Sequence, residues 1–137
     1  MSLYAKLFYA AMAIAVAFLA FTGIGTFAFG KPPMTHWVLM AHVAVAPLFA
    51  IGLTGVALTW SGGTRSSTEP DKIIPAKWCL WLILLCGLIV MLSGVVPMTP
   101  VFGTRGEHFL YLTHRYSAIV LTIAVAIQLV FFLRRPK

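Results

Sequence analysis

The chain carries four histidines, and their spacing is the first feature that could do chemistry. His36 and His42 are separated by five mostly apolar residues, and so are His108 and His114. The segments FGKPPMTHWVLMAH and FGTRGEHFLYLTH end on the second histidine of each pair, and both begin with Phe-Gly. Upstream of these pairs lie Thr22-Gly23 and Ser93-Gly94, so corresponding residues recur at offsets of 71 to 73. Neutral imidazole is a common metal ligand. It also serves simply to hydrogen-bond neighbouring helices, and that plainer reading has to be weighed against ligation throughout.

The elements that must position these histidines follow from composition. Of 137 residues, 61% are hydrophobic and 9% charged, and the mean hydropathy is +0.96. Soluble domains carry roughly 45–50% apolar and about 25% charged residues, so the expected solvent is lipid. Between its charges the chain offers four apolar stretches, each able to supply the roughly 20 residues a spanning helix needs. The expectation is an all-α membrane protein, a four-transmembrane-helix up-down bundle forming one domain over 1–137, with helices near 6–28, 35–60, 76–97 and 107–134. The first stretch is longer than the roughly 7–15-residue core of a secretory signal and reads as a retained helix.

The net charge of +7 would suggest nucleic acid in a soluble chain, but here the basic residues flank apolar runs. Lys6, Arg65, Lys72, Lys77, Arg134, Arg135 and Lys137 fall at the two termini and the middle loop, against Lys31 and Arg105 in the other loops. The positive-inside rule then places both termini in the cytoplasm and the histidines towards the opposite face. No nucleic-acid partner is expected; the expected partner of the helices is the lipid bilayer. Cys79 and Cys86 form neither CxxC nor CxxCH, which argues against a disulfide framework and against covalent c-type haem attachment.

The repeat reads as two parallel copies of a helical hairpin about a pseudo-two-fold along the membrane normal. It puts His42 and His114 at similar depth on parallel helices. Ionisable groups inside a membrane are functional candidates by default, and paired axial histidines on facing helices hold b-type haem in four-helix bundles. A haem is a broad plate, so its ligand helix needs small residues one and two turns away. His42 is followed by Ala46 and Ala50, and His114 by Ala118 and Thr122, whereas His36 and His108 are followed by the bulkier Met40 and Leu112. Six residues turn a helix by about 600° and advance it about 9 Å, so each outer histidine points about 120° away from the inner one. The inner pair, His42 and His114, is therefore expected to supply the axial ligands of one haem. For His36 and His108 three readings stand: ligands of a second haem, contacts to propionates, quinone or a partner, and ordinary interfacial histidines.

At the segments MTHWVLMAHVAVAP and GEHFLYLTHRYSA the chain resembles the small bacterial transmembrane b-type cytochromes that serve as membrane subunits of respiratory dehydrogenases and reductases. The likeness covers most of the chain, with histidines in the second and fourth of four helices. It implies bis-His haem b in a bacterial inner membrane and electron transfer between the quinone pool and a periplasmic partner, either a cytochrome c or a catalytic redox subunit. It also implies membership of a larger complex; pairing of the bundle with itself is an alternative. His42 and His114 inherit the ligand role, and Arg115, beside the ligand, is placed to pair with a propionate. Unlike larger members with two well-separated haems, this chain has no histidine near its cytoplasmic side.

The remaining candidates each have a plainer reading. Arg115 snorkels to the outer interface or contacts a propionate or quinone. Glu107 accepts a quinol proton or simply suits a helix N-terminus. Trp37 and Tyr111 fit an aromatic belt, Met34 and Met98 fill gaps, and Cys79 and Cys86 pack. Pro47 is expected to disturb the second helix just beyond His42, and Gly52 with Gly55 to mark a close-packing surface. Two functions outside electron transfer compete: a haem-free structural anchor of a larger complex, and a metal-ion transporter. The transporter would need acidic or histidine relays in the cytoplasmic halves, and the sequence shows none there.

Overall fold

A computed structural model of the chain describes residues 3–28, 36–63, 74–98 and 103–133. They form four α-helices: α1 Leu3–Ala28, α2 His36–Gly63, α3 Ile74–Val95 and α4 Thr104–Leu133, with a 3-10 turn at Val96–Met98. All four are long and apolar enough to cross a membrane. In hydrocarbon every backbone N–H and C=O needs a partner within the protein, and a continuous helix supplies them internally. The fold is thus all-helical, with the helix number and order expected from the apolar runs.

Local chemistry sets the helix ends. Pro75 sits in the first turn of α3, where a missing N–H costs nothing. Pro97 disfavours helical geometry in the residue before it, and α3 gives way to the 3-10 turn at Val96. α4 starts earlier than its charged, glycine-containing opening suggests, because the Gly103 carbonyl accepts from the backbone N–H of Gly106 at 2.8 Å and of Glu107 at 3.1 Å. Pro47 lies inside α2, where it has no N–H to offer the Val43 carbonyl. The expectations attached to Lys31, Pro32, Pro33, Met34, Arg65, Lys72, Arg134, Arg135 and Lys137 fall outside the described residues, as do the side chains of His36, Lys77 and Met98.

The chain divides into two compact units, residues 1–70 and 71–137, each holding one packed helix pair, α1 with α2 and α3 with α4. In the first, Thr22 meets His42, a Cβ on Gly52 would meet Met12 and one on Gly55 would meet Phe8. One residue number falls as the other rises, so α1 and α2 run antiparallel. In the second, Ser93 meets His114 and Cys79 meets Ala124, which makes α3 and α4 antiparallel as well.

The buried side chains recur at helical spacing: Tyr9, Met12 and Val16 on α1, Phe49, Leu53 and Val56 on α2, Leu80, Ile83 and Cys86 on α3, and Leu121, Ala124 and Val125 on α4. Between apolar helices in lipid the attraction is close packing rather than water exclusion, and small residues permit it. At Gly52 a Cβ would stand 2.9 Å from the Met12 backbone, so the two main chains pass nearly in contact. Large apolar residues such as Phe21, Ile51, Trp81, Leu85 and Ile123 remain exposed, the surface expected of a multi-pass membrane protein.

Candidate histidine site

Each inner histidine is held by the other helix of its own hairpin. His42 lies half-buried on α2, and its Nδ1 is 2.7 Å from the Thr22 hydroxyl of α1. That hydroxyl also reaches the carbonyls of Phe18 at 2.9 Å and Leu19 at 3.1 Å. His114 lies half-buried on α4, and its Nδ1 is 3.0 Å from the Val90 carbonyl and 3.2 Å from the Ser93 hydroxyl of α3. Ser93 is 4% exposed, and its hydroxyl reaches Ile89 O at 2.7 Å.

At His114 the contacts assign the tautomer. A carbonyl oxygen only accepts, so His114 Nδ1 carries a hydrogen and donates it to Val90. The Ser93 hydroxyl spends its one hydrogen on Ile89 O and offers a lone pair to the same Nδ1–H. In the first hairpin the Thr22 hydroxyl is within reach of both Phe18 O and His42 Nδ1, and with its hydrogen on Phe18 O it accepts from Nδ1–H. In the His114 ring the basic lone pair then belongs to Nε2, and in the His42 ring it does so when Thr22 returns its hydrogen to Phe18 O. A metal-bound histidine almost always donates its other N–H to a fixed acceptor, which sets its tautomer and orientation. Within each hairpin, taken by itself, the residues present therefore suit an imidazole held at Nδ1 and open to a ligand role at Nε2.

The flanking positions differ in detail. Gly94 lies against the second ring: a Cβ there would be 3.3 Å from His114 Cε1 and 3.5 Å from Nδ1. One turn beyond each histidine, Ala46 is exposed and Ala118 half-buried, and the Ala118 carbonyl accepts from Thr122 Oγ1 at 2.7 Å. His108 is exposed on the same continuous helix as half-buried His114, as a six-residue separation requires. His36 opens α2. Arg115 is half-buried, and Glu107 is exposed in the first turn of α4. Trp37 and Tyr111 are exposed, Cys79 donates to the Ala124 carbonyl at 3.3 Å, and Cys86, seven residues further along α3, is buried.

Sequence reasoning placed Thr22 and Ser93 at matching positions of the repeat but gave them no role. The signal was there, in a hydroxyl residue followed by glycine about twenty residues before each inner histidine. The Val90 carbonyl had no such signal, because a backbone acceptor leaves no mark on residue type. Comparison with models of known protein families, with curated proteins and with solved structures finds no match.

Proposed function

We propose that this chain is a membrane-embedded b-type cytochrome, an electron-transfer subunit that exchanges electrons between the quinone pool and a periplasmic redox partner. The observation that carries the reading is the hydrogen bond from His114 Nδ1 to the Val90 carbonyl, matched by the contact of His42 Nδ1 with Thr22. His114 is thereby presented with Nε2 as the basic nitrogen, a form in which histidine ligates haem iron, and His42 is presented likewise when Thr22 accepts from its Nδ1–H. One haem b bound by both would supply reversible one-electron chemistry.

The chain's own part is binding, orientation and dielectric. His42 and His114 would donate Nε2, and the first helix of each hairpin, α1 or α3, holds the ring at Nδ1. Ala46 and Ala118 keep the surface beyond each ligand low, and Arg115 is offered to a propionate carboxylate. The apolar helices exclude water, so charge changes at the site are strongly felt. In this reading the two hairpins are parallel repeats of one four-helix bundle in a bacterial inner membrane. Both termini are cytoplasmic, and the histidines lie towards the periplasm.

The test is a reduced-minus-oxidised absorption spectrum of the purified full-length chain with haem quantified per chain, repeated on His42→Ala and His114→Ala. One haem per chain with a b-type spectrum, lost in both variants, is expected. Wild-type protein that carries no haem when made in haem-replete cells would overturn the proposal in favour of a structural anchor.

A further inference from the structure

Resting on that reading of His42 and His114, we infer that Thr22 and Ser93 are positioning residues for the two ligands: their hydroxyls accept from Nδ1–H, hold the ring rotation and raise the basicity of Nε2. Four other threonines of these helices show the plain case. Thr26, Thr54, Thr59 and Thr122 each return their hydrogen to a carbonyl four residues back, the usual way a hydroxyl is satisfied in an apolar helix. Thr22 and Ser93 do the same and in addition meet an imidazole of the partner helix. Back-bonding is what prepares them for this. A hydroxyl whose hydrogen is returned to its own helix presents only lone pairs to the ring and so accepts from Nδ1–H.

The two hairpins divide the work differently. At His114 the Val90 carbonyl stands 3.0 Å from Nδ1 and Ser93 3.2 Å, so the backbone is the nearer acceptor and Ser93 the support. At His42 the Thr22 hydroxyl stands 2.7 Å from Nδ1. Loss of the Ser93 hydroxyl leaves a carbonyl to keep the proton on Nδ1. Loss of the Thr22 hydroxyl removes the short contact.

Outer acceptors of this kind change ligand affinity by about 10- to 100-fold when removed. The experiment compares the full chain with Thr22→Val, which keeps the side-chain shape, Thr22→Ser, which restores the hydroxyl, and Ser93→Ala. Haem affinity, midpoint potential and the 15N shifts of labelled histidine before haem loading are read on each. Thr22→Val is expected to weaken haem binding by about 10- to 100-fold, to raise the potential as the imidazole becomes a poorer donor, and to shift the His42 nitrogen signals. Thr22→Ser is expected to restore all three, and Ser93→Ala to change them less than Thr22→Val does. Unchanged affinity, potential and 15N shifts in Thr22→Val would overturn the inference. Failure of the cytochrome reading looks different: the wild-type chain then takes up no haem, and the 15N shifts of the unloaded chain alone decide whether Thr22 sets the tautomer.

Discussion

A methyl group on Gly94 of α3 would lie 3.3 Å from Cε1 of His114 on α4. That distance is a few tenths of an ångström too short, so the ring or the helix must give. Gly94→Ala should therefore separate two effects. Alanine is favoured over glycine in a helix by up to about 1 kcal/mol, so the unloaded chain should melt no lower than wild type. Haem affinity should fall and the low-spin electron paramagnetic resonance signal should move as the imidazole turns. A variant with wild-type affinity and an unmoved signal would show that Gly94 does not set the plane of His114.

Two glycines of α2 make opposite predictions despite similar surroundings. A Cβ on Gly55 would overlap the Phe8 ring, whereas one on Gly52 would stand 2.9 Å from both Cα and N of Met12. The first obstacle is a side chain that can rotate away; the second is main chain. Overpacking against an immobile neighbour costs about 1–3 kcal/mol. Gly52→Ala should thus destabilise the chain in detergent unfolding more than Gly55→Ala does, although the Gly55 overlap is the closer one. The reverse order would mean that the backbones of α1 and α2 separate more readily than Phe8 turns.

The charge distribution makes a topological prediction independent of the histidines. Seven basic residues, from Lys6 to Lys137, lie near the two termini or between the second and third apolar runs, and only Lys31 and Arg105 lie between the other runs. A green fluorescent protein fused after Lys137 should fluoresce and an alkaline phosphatase fused there should be inactive, as for a cytoplasmic end. Active phosphatase at that point would invert the orientation and move the histidine pairs to the cytoplasmic face.

Much of this architecture was legible because lipid imposes a simple code. Long uncharged runs had to become helices, and the expected ends at 28 in α1 and 134 in α4 differ from Ala28 and Leu133 by at most a residue. The start of α4 was misjudged by three residues because Arg105, Gly106 and Glu107 look like loop, while the Gly103 carbonyl that caps them is backbone. The same limit applies at the site. The repeat identified His42 and His114 and even aligned Thr22 with Ser93, because side-chain type records those choices. It did not show that the aligned hydroxyls touch the aligned imidazoles. That depends on the stagger between antiparallel helices, which the packing of Gly52 on Met12 helps set in the first hairpin.

The outer histidines supply the sharpest test of the one-haem proposal. His108 is exposed on the same helix that holds His114 against Val90, and six residues of α-helix turn the two rings about 120° apart. A planar group ligated by His114 is therefore not reached by His108 from the same side. The double variant His36→Ala with His108→Ala should keep one haem per chain and an unshifted spectrum. A quinone or partner contact at the outer pair would appear only as slower electron exchange, with the bound haem unaltered. Two haems per wild-type chain, falling to one in the double variant, would instead make the outer pair ligands and overturn the one-haem count.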